Sequence, residues 1–579
     1  MVILFVLLLL LGLAPLCALI LKKAGYLAVC AGGLLLAYLG IQDHSVNPLY
    51  LLYVSAGIVW VLSSVYSMSY DKHERWLAPL FGLSVFGMAL AFTANNTLVF
   101  LAGYEIMTIP AYASVGVYKH TDYPAFVFMS FGELSTLLVL AGFLYSYTLT
   151  GSFGFSALNT PVPFVLSSMG FIVKMGMLPF MVTEWLPLAH GNTPSNMSAI
   201  LSASMTLVAF YGLLKMALLS PSMENFGLLL TGIGGFSVFF GSLYSYVSEQ
   251  PKSLLGFSTI ESNGAMLTCA GIFTSAPTHL LAVFALITAS VYALAHSIAK
   301  TGLFLMTGSM DPESFSHPDT GKDRLGKIGG IMLTSSMSGL LPTVGGVAVW
   351  SLLEAIFMEA FTLHTALAAV PIVVGSVIAL GEGFATASML KFVLFTEVFS
   401  THTSKGRSGG GVILFAGLGA LLSGWLTYFV YTPFTGASPL GVPFGLIISE
   451  SSSAPFGGIT PLYVLGLPLL FALVLLLAFG KPKTRRSEVW NTGLPRTHTY
   501  TSPMYSNNIR LMLAKILLTR VSSEGAKTTD FLWSWICATG RGFLRFSKSF
   551  SRTYMNSNLS WYVLYMIIAF VVLIMVIVR

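Results

Sequence analysis

Charge is what this chain has least of: 9% of its 579 residues are Asp, Glu, Lys or Arg, while 55% are hydrophobic. Soluble domains carry about 25% charged residues, so the scarcity excludes a soluble fold and makes the chain a polytopic membrane protein. Cysteine is scarce too. Cys17, Cys30, Cys269 and Cys537 lie far apart, with neither a C-x-x-C pair nor a His/Cys cluster, which argues against iron–sulfur, haem or zinc ligation. No G-x-G-x-x-G follows a strand pattern, and there is no Walker loop. No cofactor or metal is therefore expected in this chain, and any redox chemistry it serves belongs to other subunits.

What is present is a series of hydrophobic runs of spanning length. They lie near 2–21, 25–41, 50–68, 77–94, 97–117, 124–149, 163–183, 195–217, 225–247, 253–273, 279–308, 328–361, 367–399, 411–432, 461–479 and 561–578. No cleavable signal stands apart, so Val2–Leu21 reads as the first spanning helix. The runs 279–308 and 328–361 exceed a simple span and are expected to be tilted, broken or partly extramembrane. Basic residues mark alternate loops: Lys22 and Lys23, Lys72 and Arg75, Lys119, Lys252, Lys322 to Lys327, Lys405 and Arg407, and Lys481 to Arg486. Lys215 is the exception. By the positive-inside rule this places the N-terminus outside and the basic tail in the cytoplasm. Within that tail FLWSWICATGRGFLRFSKSF mixes aromatic and basic residues and suits a helix lying along the interface, before a last apolar anchor.

A charge inside a spanning helix costs roughly 2.5–3.5 kcal/mol even on the lenient insertion scale, so such residues mark ion routes by default. Here they are Glu105, Lys174, Glu184, His190, Glu261, His296, Lys300, Glu354, Glu359 and Lys391. His296 and Lys300 are four apart and share a helix face. If the helices of Glu105 and Lys174 are neighbours, a lysine poised against a carboxylate gains and loses its proton as the partner moves. For any one of these residues the rival reading is a satisfied polar contact between helices. Pro179 and Pro187 after Lys174, and Pro342, Gly345 and Gly346 in the run 328–361, predict two interrupted helices. Breaks at matching places are the pointer to inverted repeats around an ion site.

The segments GYEIM, FIVKMGMLPF, EWLPLAH, PSNMSAILS, KSLLGFSTIESNGAM and AHSIAKTGLFLMTGSM together resemble the antiporter-like subunits of respiratory complex I, the Mrp antiporters and the energy-converting membrane-bound hydrogenases. The resemblance runs in order through roughly the first three quarters of the chain. The glutamate after STI and WNTGLPRTHTYTSPMYSNNIR look like the large subunit of hydrogenase or formate hydrogenlyase complexes. It implies about fourteen core transmembrane helices in two inverted five-helix repeats, with broken seventh and twelfth helices, then a lateral amphipathic helix and an anchor. The implied division is 1–76, repeats over 77–217 and 225–399, further core helices over 411–479, a basic tail over 480–560 and an anchor over 561–579.

The resemblance also assigns roles. Glu105 matches the fifth-helix glutamate, Lys174 the pumping lysine of the broken seventh, and His296 and Lys300 the relay of the eleventh. Lys391 joins them as a substitute base, with Glu354, Glu261, His190 and Glu184 as secondary relay candidates. Two positions depart from the pattern. The eighth helix has Ser202 and Leu207 where a lysine or histidine belongs, and Val349, Trp350 and Ser351 stand where the twelfth helix has its own charge. The implied function is translocation of protons, or sodium against protons, in a redox-driven complex of hydrogenase, sulfur-reducing or formate hydrogenlyase type. The alternatives are an Mrp-type antiporter subunit and a structural subunit with a degenerate relay. Implied partners are other antiporter-like and small membrane subunits, a peripheral redox module carrying iron–sulfur clusters and a nickel–iron site, ions and lipid, and no nucleic acid. The implied location is the cytoplasmic membrane of a bacterium or archaeon.

Overall fold

The computed structural model describes residues 2–43, 48–70, 75–177, 185–310, 315, 323–363, 366–398, 409–435, 446–451, 454–459, 461–480, 502–513, 519–522, 525–528, 531–554, 564, 566 and 567. The chain opens with α1 (Val2–Ile20), α2 (Lys22–Asp43), α3 (Tyr50–Tyr70) and α4 (Leu77–Thr93). Then come α5 (Thr97–Lys119), α6 (Asp122–Thr150), α7 (Val162–Lys174) and the short α8 (Trp185–Gly191). Next, α9 (Ser195–Ile200) and α10 (Thr206–Leu219) flank a wide π-turn at Leu201–Met205. α11 (Glu224–Val247), α12 (Pro251–Ser275) and α13 (His279–Thr307) follow, then α14 (Arg324–Met337) and α15 (Val344–Thr362). α16 (Ala369–Val393), α17 (Gly410–Thr435) and α18 (Pro461–Phe479) complete the apolar helices. Among the described residues eleven helices are long and apolar enough to cross a membrane. The chain is an all-α polytopic membrane protein.

The two runs too long for a span resolve differently. His279–Thr307 is one continuous helix, capped where Thr278 Oγ1 accepts the Leu281 amide. The run 328–361 breaks between α14 and α15. Gly339 takes φ +64°, a left-handed conformation that suits glycine, and Thr343 Oγ1 caps α15 by accepting the Gly346 amide at 3.3 Å. The other expected break also occurs: α7 stops at Lys174 and Gly176 turns left-handed at φ +73°. Pro179 lies outside the described residues.

α4 and α5 touch backbone to backbone. A Cβ on Gly103 would stand 2.6 Å from the Ala91 nitrogen, and one on Gly87 would stand 2.6 Å from the Ile106 carbonyl carbon. Gly103→Leu is therefore expected to drive the two helices apart, at a cost above the ~1–3 kcal/mol of ordinary overpacking. The check is the fraction of detergent-solubilised protein eluting as a single species, which should collapse relative to wild type.

Two compact units are present, Met1–Asn507 and Asn508–Arg579. α19 (Ser502–Leu513) begins in the first unit. Tyr246 donates to the Tyr505 carbonyl at 2.9 Å, and Tyr505 donates to the Ala387 carbonyl at 3.2 Å. The sequence gives little sign of the hairpin β1 (Leu446–Ser451) with β2 (Ala454–Ile459), since its strands lack alternating hydrophobicity. A second, four-residue-per-strand hairpin pairs β3 (Thr519–Ser522) with β4 (Gly525–Thr528). Where the sequence leads one to expect an amphipathic helix, α20 (Phe531–Tyr554) forms. Exposed Phe543, Phe546 and Phe550 recur at helical spacing on one face, and Arg541, Arg545 and Lys548 recur on the opposite one. The anchor run 561–578 lies almost wholly outside the described residues.

Candidate functional site: two buried polar clusters

Lys174 ends α7 with 1% of its surface exposed. Its ammonium donates to Thr108 Oγ1 on α5 at 2.6 Å. Thr108 in turn donates to the Tyr104 carbonyl at 2.7 Å, so its lone pairs face the lysine. The rings of Tyr104 and Phe128 lie 5.1 and 5.9 Å from the same nitrogen, within cation–π range. Glu105, one turn from Thr108, is half-buried and accepts a short hydrogen bond from Thr136 on α6. No ion pair under 4.0 Å holds Lys174 among the described residues. The helices of Glu105 and Lys174 meet through the Lys174–Thr108 bond, but each charge rests on a threonine. The carboxylates acting electrostatically on Lys174 are Glu105 and Glu133. Glu133 is missing from the sequence reading, although a single acid in the apolar run 124–149 is the signal that singled out Glu105.

The second cluster lies where α12 and α13 meet the π-turn. The His296 Nε2 atom is 3.1 Å from the Ser202 carbonyl, and Ser297 donates to the Ala203 carbonyl at 3.1 Å. Ser202 and Thr259 hydroxyls are 2.7 Å apart, and Trp60 of α3 donates to Ser204 Oγ at 2.9 Å. Three consecutive residues of the wide turn thus engage three helices. π-turns are rare and are found mostly at functional sites, and nothing in LSASM announces one. Ser202, which stands where a base was expected, meets His296 through its carbonyl. Lys300, fully buried, donates to the Leu255 carbonyl at 3.2 Å and makes a short bond to Ser258. Glu261, on the next turn of α12, is 1% exposed and acts electrostatically on Lys300.

His190 of α8 belongs to this cluster. It is fully buried, its ring lies 4.6 Å from that of Phe304, and it feels the charges of Lys300 and Lys252. Neither ring nitrogen has a hydrogen-bond partner among the described residues. One link joins the two clusters: Asn263 on α12 donates to the Met175 carbonyl at 2.8 Å, a carbonyl left free by the end of α7.

The remaining candidates are placed elsewhere. Lys391 donates to the carbonyls of Tyr246 and Ser248 at 3.1 and 2.7 Å and pairs with Glu249 at 3.1 Å. It caps the C-terminal end of α11, as expected of a cation at a helix C-terminus. A charged donor with three acceptors contributes about 1.5–3 kcal/mol per bond at most. Lys391→Ala is expected to lower the thermal midpoint of the detergent-solubilised protein by several degrees, read by intrinsic fluorescence. Glu354 on α15 is 9% exposed and its Oε1 is buried without a hydrogen-bond partner among the described residues, while Glu359, fully buried, accepts a short bond from Ser275. Glu184 lies outside the described residues. Among those residues no group of His, Cys, Asp or Glu is placed to hold a metal.

Residues 94–379 match the family described as NADH:quinone oxidoreductase/Mrp antiporter, transmembrane. Over that segment, just under half of its length, the chain resembles that family. The matched segment contains Glu105, Lys174, His190, Glu261, His296 and Lys300, while Trp60 and Lys391 lie outside it. Hydrogenase-4 component B of Escherichia coli (strain K12) is 27% identical over 303 residues, covering 48% of this chain and 44% of that relative. The chain thus spans less than half the length of this relative. Solved structures share the fold. The membrane-bound sulfane sulfur reductase, an archaeal respiratory membrane complex, superposes with a TM-score of 0.80 at 16% identity, covering 98% of this chain and 99% of that one. The Mrp complex from Dietzia sp. DQ12-45-1b gives 0.69 at 20% identity, covering 100% and 62%.

Proposed function

We propose that the chain is the ion-translocating, antiporter-like subunit of a complex-I-like, redox-driven membrane complex of the hydrogenase or sulfur-reducing kind. It moves protons, or sodium in exchange for protons, by way of Glu105, Lys174, His296 and Lys300, with Glu261 and His190 beside them. The observation that carries this reading is the pair of buried lysines, Lys174 and Lys300, each held by a hydroxyl rather than by a carboxylate. An ammonium in that setting is solvated enough to exist and is not locked into an ion pair, so a moving carboxylate can change its protonation. Moving one charge against 100 mV requires about 2.3 kcal/mol, within reach of a change at one such site.

On this reading the two broken helices belong to two inverted five-helix halves. The iron–sulfur clusters and nickel–iron site belong to partner subunits, and the basic tail faces the cytoplasm. The test is ion movement into proteoliposomes holding the assembled complex, with Glu105→Gln in this chain. Transport is expected to fall about tenfold or more, equivalent to ≥1.4 kcal/mol on the limiting step, with subunit composition unchanged. Undiminished transport would leave the chain a structural subunit. The whole-chain likeness to the Mrp complex favours a second reading, an antiporter driven by gradients alone. Co-purification of a redox module separates the two.

A further inference from the structure

Glu261 and Glu382 present a problem of unsatisfied acceptors. Glu261 is 1% exposed, and its Oε2 has no hydrogen-bond donor among the described residues. Glu382, on α16, is half-buried, yet its Oε1 is buried and equally without a donor. A buried carboxylate oxygen left unpaired costs several kcal/mol, and a buried anion costs more.

The packing brings the two residues to one level. Lys391 ties α16 to the α11–α12 turn through Ser248 and Glu249. Glu382 lies nine residues back from Lys391 along α16, and Glu261 ten residues beyond Pro251 along α12. At 1.5 Å per residue both stand about 13–15 Å from that turn. α11 touches both at this height. A Cβ on Gly241 would lie 2.6 Å from the Glu261 nitrogen, and one on Gly381 would lie 3.1 Å from Val238 and 3.2 Å from Phe239. Glu261 acts electrostatically on Glu382, and both act on the buried Tyr292 of α13.

We propose that Glu261 and Glu382 hold one proton between them, and that this carboxyl–carboxylate pair carries protons between Lys300 and the α16 rim of the bundle. One proton satisfies both orphaned oxygens, as donor from one and hydrogen-bond acceptor at the other, and leaves a single negative charge facing Lys300. In the transfer step the Lys300 ammonium gives its proton to the Glu261 side of the pair. The proton already shared passes to Glu382, which reaches the rim, and Lys300 is left neutral. This inference rests on the ion-translocating reading above, but it is separable from it.

The test pairs an infrared difference spectrum of the assembled complex with proteoliposome transport. Wild type is expected to show a carboxylic acid C=O band that disappears in Glu382→Gln and shifts in Glu261→Gln. Transport is expected to fall at least severalfold in both and to recover in part in Glu382→Asp. A band unchanged by Glu382→Gln, or wild-type transport in that variant, overturns the proposal. If the glutamine variant does not assemble, Glu261→Gln and Glu382→Asp carry the same spectral test. A band that behaves as expected while Glu105→Gln transports normally sustains the shared proton and removes the transport reading alone.

Discussion

Lys174→Ala is expected to abolish coupled ion movement while leaving the complex assembled. The side chain is almost wholly buried, and its nitrogen is the only cation close to Thr108 and to the Tyr104 and Phe128 rings among the contacts described. Removing it leaves Thr108 with an unfilled lone pair and Glu105 and Glu133 without the charge they act on. The stability cost is about 1–3 kcal/mol, that of a buried acceptor left unmade, which a large bundle absorbs. The transport cost is categorical, since alanine offers no site for a proton. Lys174→Arg should be nearly as damaging. Guanidinium does not release a proton in proteins, so it keeps the charge and removes the exchange. Ion flux at equal subunit content, measured in proteoliposomes, checks both. Transport by the arginine variant at the wild-type rate would mean that the position supplies only a fixed charge.

Lys300→Ala is expected to have an effect of the same order through a different cluster. Lys300 is fully buried and bonds to the Leu255 carbonyl and Ser258 of α12, one turn from Glu261. Its loss leaves Glu261 as a buried acid with no cation beside it, so proton exchange stops at that residue. Ser258→Ala removes one hydroxyl and keeps the ammonium, so it should slow flux only severalfold. The contrast between the two variants separates a proton-carrying amine from a structural hydrogen bond. Equal losses in both would assign Lys300 to packing.

Much of this arrangement is legible in the sequence because lipid makes charge expensive. Lys174, His296 and Lys300 stand out as ionisable residues in apolar runs, and all prove to be buried. The breaks after Lys174 and before Val344 follow from proline and glycine placed where a helix cannot continue. What is not legible depends on pairing across the bundle. Lys391 reads as a relay base, yet it caps α11, because the Glu249 and Ser248 that bind it lie about 140 residues away in a loop. Glu133 and Glu382 carry the same signal as Glu105, an acid within an apolar run, but only the packing shows what they face. The wide turn at Leu201–Met205 leaves no mark, since its residues are ordinary helix formers and its cause is the contacts to α3, α12 and α13.

That wide turn also constrains how this stretch of the gene can change. It holds one residue more than an α-turn, so deleting a single codon within it would rewind the helix to regular pitch. The helix beyond would keep its register, with Lys215 still on the Ala94 carbonyl it reaches at 2.9 Å, but the groups of Ser202, Ala203 and Ser204 would be withdrawn from α12, α13 and α3. Length variation that a surface loop tolerates is therefore intolerable here, and lineages carrying this subunit should keep the spacing between Ser195 and Lys215 invariant even where the side chains drift.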